Sequence, residues 1–292
     1  MKRSRLFLLL AAGFALAQSC DKVKFPYETS SSSNGNPNAV VRKVLLEDFT
    51  GTSCGNCPPA GATATQLEDQ YKPKVIGLTI HAGLLATPSP PNLPYDFRTA
   101  VGTDYYNTFG IQANPTGMVN RIGFPTSSHL LNYGAWGSAI NNIINNPPDA
   151  DIQLTNTFNT NNRDLQVDVK CKFLTAKTNA YYKLVLLLKE DSIVEPQKDD
   201  LASPNIVTNY MHRNILRGAI NGNGTGWGDT LVAGNIAVGD SVMNTYHFTV
   251  PSSYTTWTVV DSHCYVVAFI YDADASSATH YEVIQAEEKK IK

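Results

Sequence analysis

The sequence predicts an α/β domain followed by an antiparallel β-sandwich, and three observations carry that expectation. Between Val40 and about Asn146, strand-length apolar runs alternate with stretches of helical composition. Two prolines, Pro147 and Pro148, then interrupt the chain among Asn145, Asn146 and Asp149. Beyond them the apolar period falls to two, the spacing of strands with one buried face. At 292 residues the chain is long enough for two domains, expected at 39–148 and 149–292, and its 42% hydrophobic share can supply a core to each.

In chain order, "VRKVLLEDF" reads as a buried strand, an apolar centre between charges and a Gly-Thr turn. "PAGATATQLEDQY" has helical composition and must end before Pro73, and "KVIGLTIHA" is a second buried strand. After the Pro-rich "LLATPSPPNLPYD", a helix is expected in "DFRTAVGTDYYNTFG" and a third strand in "PTGMVNRIG". "HLLNYGAWGSAINNIINN" closes the domain as an amphipathic helix, with Leu130, Leu131, Ala135, Trp136, Ala139, Ile140, Ile143 and Ile144 on one face. In the second domain "DLQVDVKCKF" turns Leu165, Val167, Val169, Cys171 and Phe173 to one side. "YYKLVLLLKE", "SVMNTYHFTV", "WTVV", "CYVVAFIYDAD" and "THYEVIQAEE" continue the series between Gly, Pro, Asn and Ser turns, which predicts a sandwich of the immunoglobulin-like kind. The segment Asp191–Asp229 has no usable periodicity.

The N-terminus is an export signal. Lys2, Arg3 and Arg5 precede an apolar run from Leu6 to Leu16, too short to span a bilayer, and then small residues at Ala17 and Ser19. Cys20 follows immediately, as the lipidated cysteine does in a bacterial lipobox, so residues 1–19 read as signal peptide and Cys20 as the lipidation site. Residues 20–38, rich in Ser, Asn and Pro, have little to bury and read as a disordered tether. The expected address is the cell envelope, reached through a lipid anchor only. A net charge of −2 without a basic stripe argues against nucleic acid as a partner.

An exported chain can keep disulfides. Cys20 aside, four cysteines remain: Cys54 and Cys57, three residues apart, and Cys171 and Cys264, in separate apolar strands. For the latter two the readings are an inter-strand disulfide or two buried thiols. If Cys54 caps a helix starting near Gly55, the helix amino end favours its thiolate, making Cys54 the attacking thiol and Cys57 the resolving one. Pro59 is expected to distort the next turn. Two cysteines supply half of a closed zinc site, with His81 the only imidazole nearby in sequence, so neither metal nor cofactor is expected. "DADASSATHYE" lacks the glycine and the final acid of a calcium loop and reads as a polar turn.

"LLEDFTGTSCGNCPPA" resembles the strand–turn–helix of the thioredoxin superfamily. That resemblance implies a thioredoxin-like fold for the first domain. It makes Asp48, six residues before Cys54, a buried proton acceptor for Cys57, although the adjacent Glu47 competes for the buried position. "FGIQANPTGMVN" resembles the superfamily's cis-proline segment, which makes Pro115 that proline and gives Asn114, Pro115 and Thr116 the holding of an extended partner chain. Ser53 stands where thioredoxins usually carry Trp, and the stretch between Ile80 and Ile111 is longer than the minimal fold needs. Over nearly the whole mature chain, "VLLEDFTGTSCGNCPPA", "ANPTGMVNR", "YMHRNILRG" and "VIQAEE" resemble the outer-membrane-protein-28-related family of Bacteroidota lipoproteins. That second resemblance implies an outer-membrane lipoprotein and no particular reaction; the function expected from the thioredoxin resemblance is thiol–disulfide exchange with exported proteins or peptides. The alternative is a surface binding or adhesion lipoprotein whose Cys54–Cys57 pair is a structural disulfide.

Overall fold

The computed structural model describes residues 40–254 and 257–292; the expected signal peptide, the tether and Cys20 lie outside the described residues. The N-terminal half is built on a strand–helix–strand unit. β1 (Val44–Thr50) and β2 (Val75–His81) are parallel, in register from Val44 opposite Val75 to Thr50 opposite His81. Helix α1 (Cys57–Tyr71) joins them and buries Ala60, Ala64 and Leu67, one stripe at helical spacing. The helix starts later than the expected position near Gly55, so Cys57, not Cys54, opens it. Pro58 and Pro59 therefore fall in the first turn, whose N–H groups have no intrahelical partner, and the expected distortion at Pro59 does not arise.

Helix α2 (Ala100–Thr108) is capped by Thr99, whose hydroxyl accepts the Gly102 N–H at 2.9 Å. β3 (Thr116–Val119) runs antiparallel to β1, from Phe49 opposite Thr116 to Leu46 opposite Val119. Helix α3 (Tyr133–Ile143) lies so close to β3 that a Cβ on Gly117 would meet the Trp136 ring at 2.5 Å. Val44, Leu46, Val75 and Val119 form one core with α1 and α3, around the fully buried Trp136 and Ile140.

The remaining residues are almost entirely strand: β4 (Ala150–Asn159), β5 (Asp164–Phe173), β6 (Lys177–Glu190), β7 (Ile193–Lys198), β8 (Ile206–His212), β9 (Ile215–Ala219), β10 (Asp229–Ile236), β11 (Ser241–Thr249), β12 (Ser253–Tyr254), β13 (Trp257–Thr258), β14 (Cys264–Asp272) and β15 (Val283–Lys290). β11, β5 and β4 form a three-stranded sheet whose alternating apolar side chains pack on those of β6, β14 and β10, giving the expected two-layer sandwich. The expected boundary at 148/149 does coincide with the entry to β4. It does not separate two bodies, however, because one sheet runs β15-β14-β6-β9-β2-β1-β3 and Val40–Lys292 is one compact unit. β9, the strand that makes this join, lies within the stretch without periodicity and pairs with both β6 and β2.

Two acids adjacent in β1 end up on opposite faces, both buried. Glu47 accepts two hydrogen bonds from Arg121, at 2.8 Å and 2.7 Å, and neither side chain touches solvent. The guanidinium sits 4.6 Å from the Tyr105 ring centroid and 4.8 Å from those of Phe109 and Phe269, so aromatic faces complete its environment. Asp48 faces α1 instead.

The bridge considered between Cys171 and Cys264 is not formed; both are free and buried. Cys171 lies on the three-stranded sheet and Cys264 on the large one, within the same apolar cluster. Burial pushes both thiols up to about 12, and the Cys264 thiol donates to Val260 O instead. The segment after Asp272 closes on itself, with Ser277 and Thr279 hydroxyls both donating to Asp272 Oδ2 at 2.7 Å.

Candidate functional site

Cys54 and Cys57 form a disulfide in the connection from β1 to α1. Two short backbone hydrogen bonds shape that connection: the Cys54 N–H donates to Gly51 O at 3.0 Å and the Cys57 N–H to Cys54 O at 3.2 Å. The sulfurs are bonded to each other at the amino end of α1, whose unpaired N–H groups favour negative charge there.

The β7–β8 hairpin covers this loop. The buried Gln197 side chain donates to Gly51 O at 3.2 Å and to Cys54 O at 3.1 Å. Lys198 N–H donates to Thr52 O and Asp200 N–H to Gly55 O, both at 2.9 Å. The hairpin lies so close here that a Cβ on Gly55 would meet the exposed Asp200 carboxylate at 2.1 Å. As a result Cys54, the expected attacking thiol, is only 2% exposed, and Cys57 3%.

A cavity of about 780 Å³ opens beside Cys57, walled by α1 on one side and by β8 and the β8–β9 link on the other, with the ends of β1 and β2 between. Cys57, Asp48 and His81 line it, and Cys54 does not. Asp48 is 3% exposed, its Oδ1 has no partner among the described residues, and burial pushes its carboxyl up to about 7. That value lets it exchange a proton near neutral pH.

Tyr210 and His212 complete the wall. The Tyr210 phenol is pushed up to about 12 by burial, then by the Asp48 and Asp199 charges. The rings of His81 and His212 lie 5.5 Å apart and each packs 4.7 Å from Phe97. Burial lowers both imidazoles: it takes His212 down to about 4 and, as the largest cause, lowers His81 well below its ordinary value, with the nearby Arg217 charge acting in the same direction. Among the described residues His81 has no partner for either ring nitrogen, and His212 none for Nε2.

The Asn114–Pro115 peptide is cis. Asn114 Nδ2 donates at 2.9 Å to both Thr50 O and Ala82 O, tying this segment to the ends of β1 and β2. The Thr116 hydroxyl donates to Ala113 O, a local turn contact. The structure thus joins Asp48 and Cys57 in one cavity and sets Asn114, Pro115 and Thr116 apart from its lining. Gln197, Tyr210 and His212 carry no chemical motif in the sequence; the "YMHRNILRG" stretch that contains two of them stands out there only by its resemblance to a family pattern.

The family profile of outer membrane protein Omp28 matches residues 102–292, a stretch that begins after the cysteine pair. Among solved structures, HBP35 of Porphyromonas gingivalis superimposes with a TM-score of 0.62 at 19% identity, over 87% of this chain and 76% of that one. A domain of the outer membrane lipoprotein Omp28 from Porphyromonas gingivalis is 23% identical, covering 49% of this chain and 88% of that one, with a TM-score of 0.33. The HBP35 likeness concerns the fold alone, mostly β with several sheets. No curated protein matches. No helix among the described residues is long and apolar enough to cross a membrane.

Proposed function

The chain belongs to the outer membrane protein Omp28 family, and on that basis we propose that it is an outer-membrane lipoprotein, anchored through Cys20, that exchanges disulfides with exported molecules. One observation carries the chemistry: the Cys54–Cys57 disulfide at a helix amino end beside a buried carboxyl whose pKa has risen to about 7. Exchange consumes a thiolate and produces one, so a group that gives and takes protons near neutral pH serves both directions. Asp48 would take the proton of Cys57 as the disulfide closes and return it when the pair is reduced. The parallel strand–helix–strand, the antiparallel β3 beside β1, and α3 packed against β3 support a thioredoxin-like reading of this half.

The second reading, a binding or adhesion lipoprotein with an inert disulfide, is favoured by the hairpin that covers Cys54. Equilibration of the full chain with dithiol–disulfide buffers discriminates. A measurable potential, reached reversibly in the folded protein and shifted by Asp48→Asn, supports exchange. A disulfide that is reduced only on unfolding supports the staple.

A further inference from the structure

We propose that the cavity beside α1 admits a small, uncharged or cationic thiol, which reduces the disulfide by attacking the Cys57 sulfur. This rests on the exchange reading above and names its substrate class and its point of attack. Cys57 lines the cavity while Cys54 does not, and the Gln197, Lys198 and Asp200 contacts hold the Cys54 side closed. An extended polypeptide fits poorly, because Asn114, Pro115 and Thr116, the segment expected to hold one, do not line this space. A volume of about 780 Å³ suits a small molecule.

The wall is chemically prepared for such a guest. Asp48, His81 and His212, all at most 4% exposed, border the cavity with polar atoms that lack partners among the described residues. Charge selects further. Asp69 and Asp199 also line the cavity, and its one cationic side chain among the described residues, Arg213, is engaged at 2.7 Å by Asp191. A carboxylate-bearing thiol meets net negative charge there; an amino-thiol does not.

The electron count is that of simple exchange. The Asp48 carboxylate takes the proton of the entering thiol, RSH. The thiolate forms a bond to Cys57 Sγ, the Cys54–Cys57 bond breaks, and its electron pair leaves on Cys54 Sγ, which is protonated by solvent. A second RSH gives its proton to solvent and attacks the thiol-derived sulfur of the mixed disulfide, releasing RSSR and the Cys57 thiolate, which takes the proton from Asp48. Two thiols are oxidised and one protein disulfide is reduced.

The test uses the full oxidised chain and four reductants at equal thiolate concentration: cysteamine, 2-mercaptoethanol, 3-mercaptopropionate, and an unfolded polypeptide carrying one cysteine. Cysteamine should exceed 3-mercaptopropionate by roughly tenfold at low salt, and the gap should close as salt is raised. In single-cysteine variants, mass spectrometry after exposure to cystamine should show the mixed disulfide at Cys57 in Cys54→Ser at least roughly tenfold faster than at Cys54 in Cys57→Ser. Equal rates for the two small charged thiols, or faster reaction at Cys54, overturn the proposal. If only the polypeptide thiol reduces the protein, the proposal falls while exchange stands; if no thiol reduces it in the folded state, the exchange reading falls as well. The wild-type arms hold whether or not a variant folds.

Discussion

Replacing Asp48 by Asn should make the protein more stable at neutral pH and leave it unchanged in acid. The carboxyl titrates at about 7 in the folded chain against 3.8 in its absence, with burial as the cause. The difference is about three pH units, each worth about 1.36 kcal/mol, so ionised Asp48 costs the fold about 4 kcal/mol. The sign follows from a raised pKa. Below pH 3.8 both states are protonated and the group contributes nothing. As pH rises the unfolded chain ionises first, so stability is lost progressively until the folded group also ionises at about pH 7, and the penalty is constant above that. Asn keeps the shape and cannot ionise. The assay is urea unfolding of both oxidised proteins from pH 3.5 to pH 9, and the expected signature is a gap that opens from zero to about 4 kcal/mol by pH 7. Parallel pH curves would refute the burial argument and, with it, the role of Asp48 as a proton carrier. A gain in stability joined to slower exchange would mark the acid as one kept for chemistry at the expense of the fold.

Arg121→Met should cost about 3–5 kcal/mol in urea unfolding at pH 7, because Glu47 is left buried and unpaired, while Glu47→Gln/Arg121→Met recovers most of the loss. Gln197→Ala removes the donor to Gly51 O and Cys54 O; the expected loss is about 1–3 kcal/mol, and Cys54 in a Cys57→Ser background should become open to maleimide in the folded protein. Cys171 and Cys264, buried and pushed up to about 12, should stay unlabelled by a disulfide-exchange dye at pH 8 and react fully in denaturant.

The fold was readable wherever burial acts along one segment. "DLQVDVKCKF" alternates so regularly that its limits coincide with β5. "IVEPQK" conceals β7, because its inward residue at the clamp is Gln197 and a proline interrupts the run. β4 escaped for a related reason: its second half, "TNTFN", is polar on both sides of Phe158 and reads as loop. The cysteine pair and Asp48 could be found because strand, turn and helix are contiguous in sequence. The choice between Glu47 and Asp48 had a different answer, since strand alternation buries them on opposite faces and each has its own surroundings. An arginine normally signals surface, so Arg121 gave no hint of its place among aromatic rings. The second wall of the cavity comes from residues 197–215, more than a hundred positions after the cysteines, and no local pattern reports such a contact.

The seal over the cysteine loop has a consequence for biogenesis. Gln197 follows Cys54 by 143 residues. A chain that emerges N-terminus first presents both thiols long before the hairpin exists to cover them. Whatever oxidises the pair in the emerging chain meets an open loop; whatever acts on the finished protein must come through the cavity. Chain order thus gives one cysteine pair two periods of access, each open to a different size of reagent.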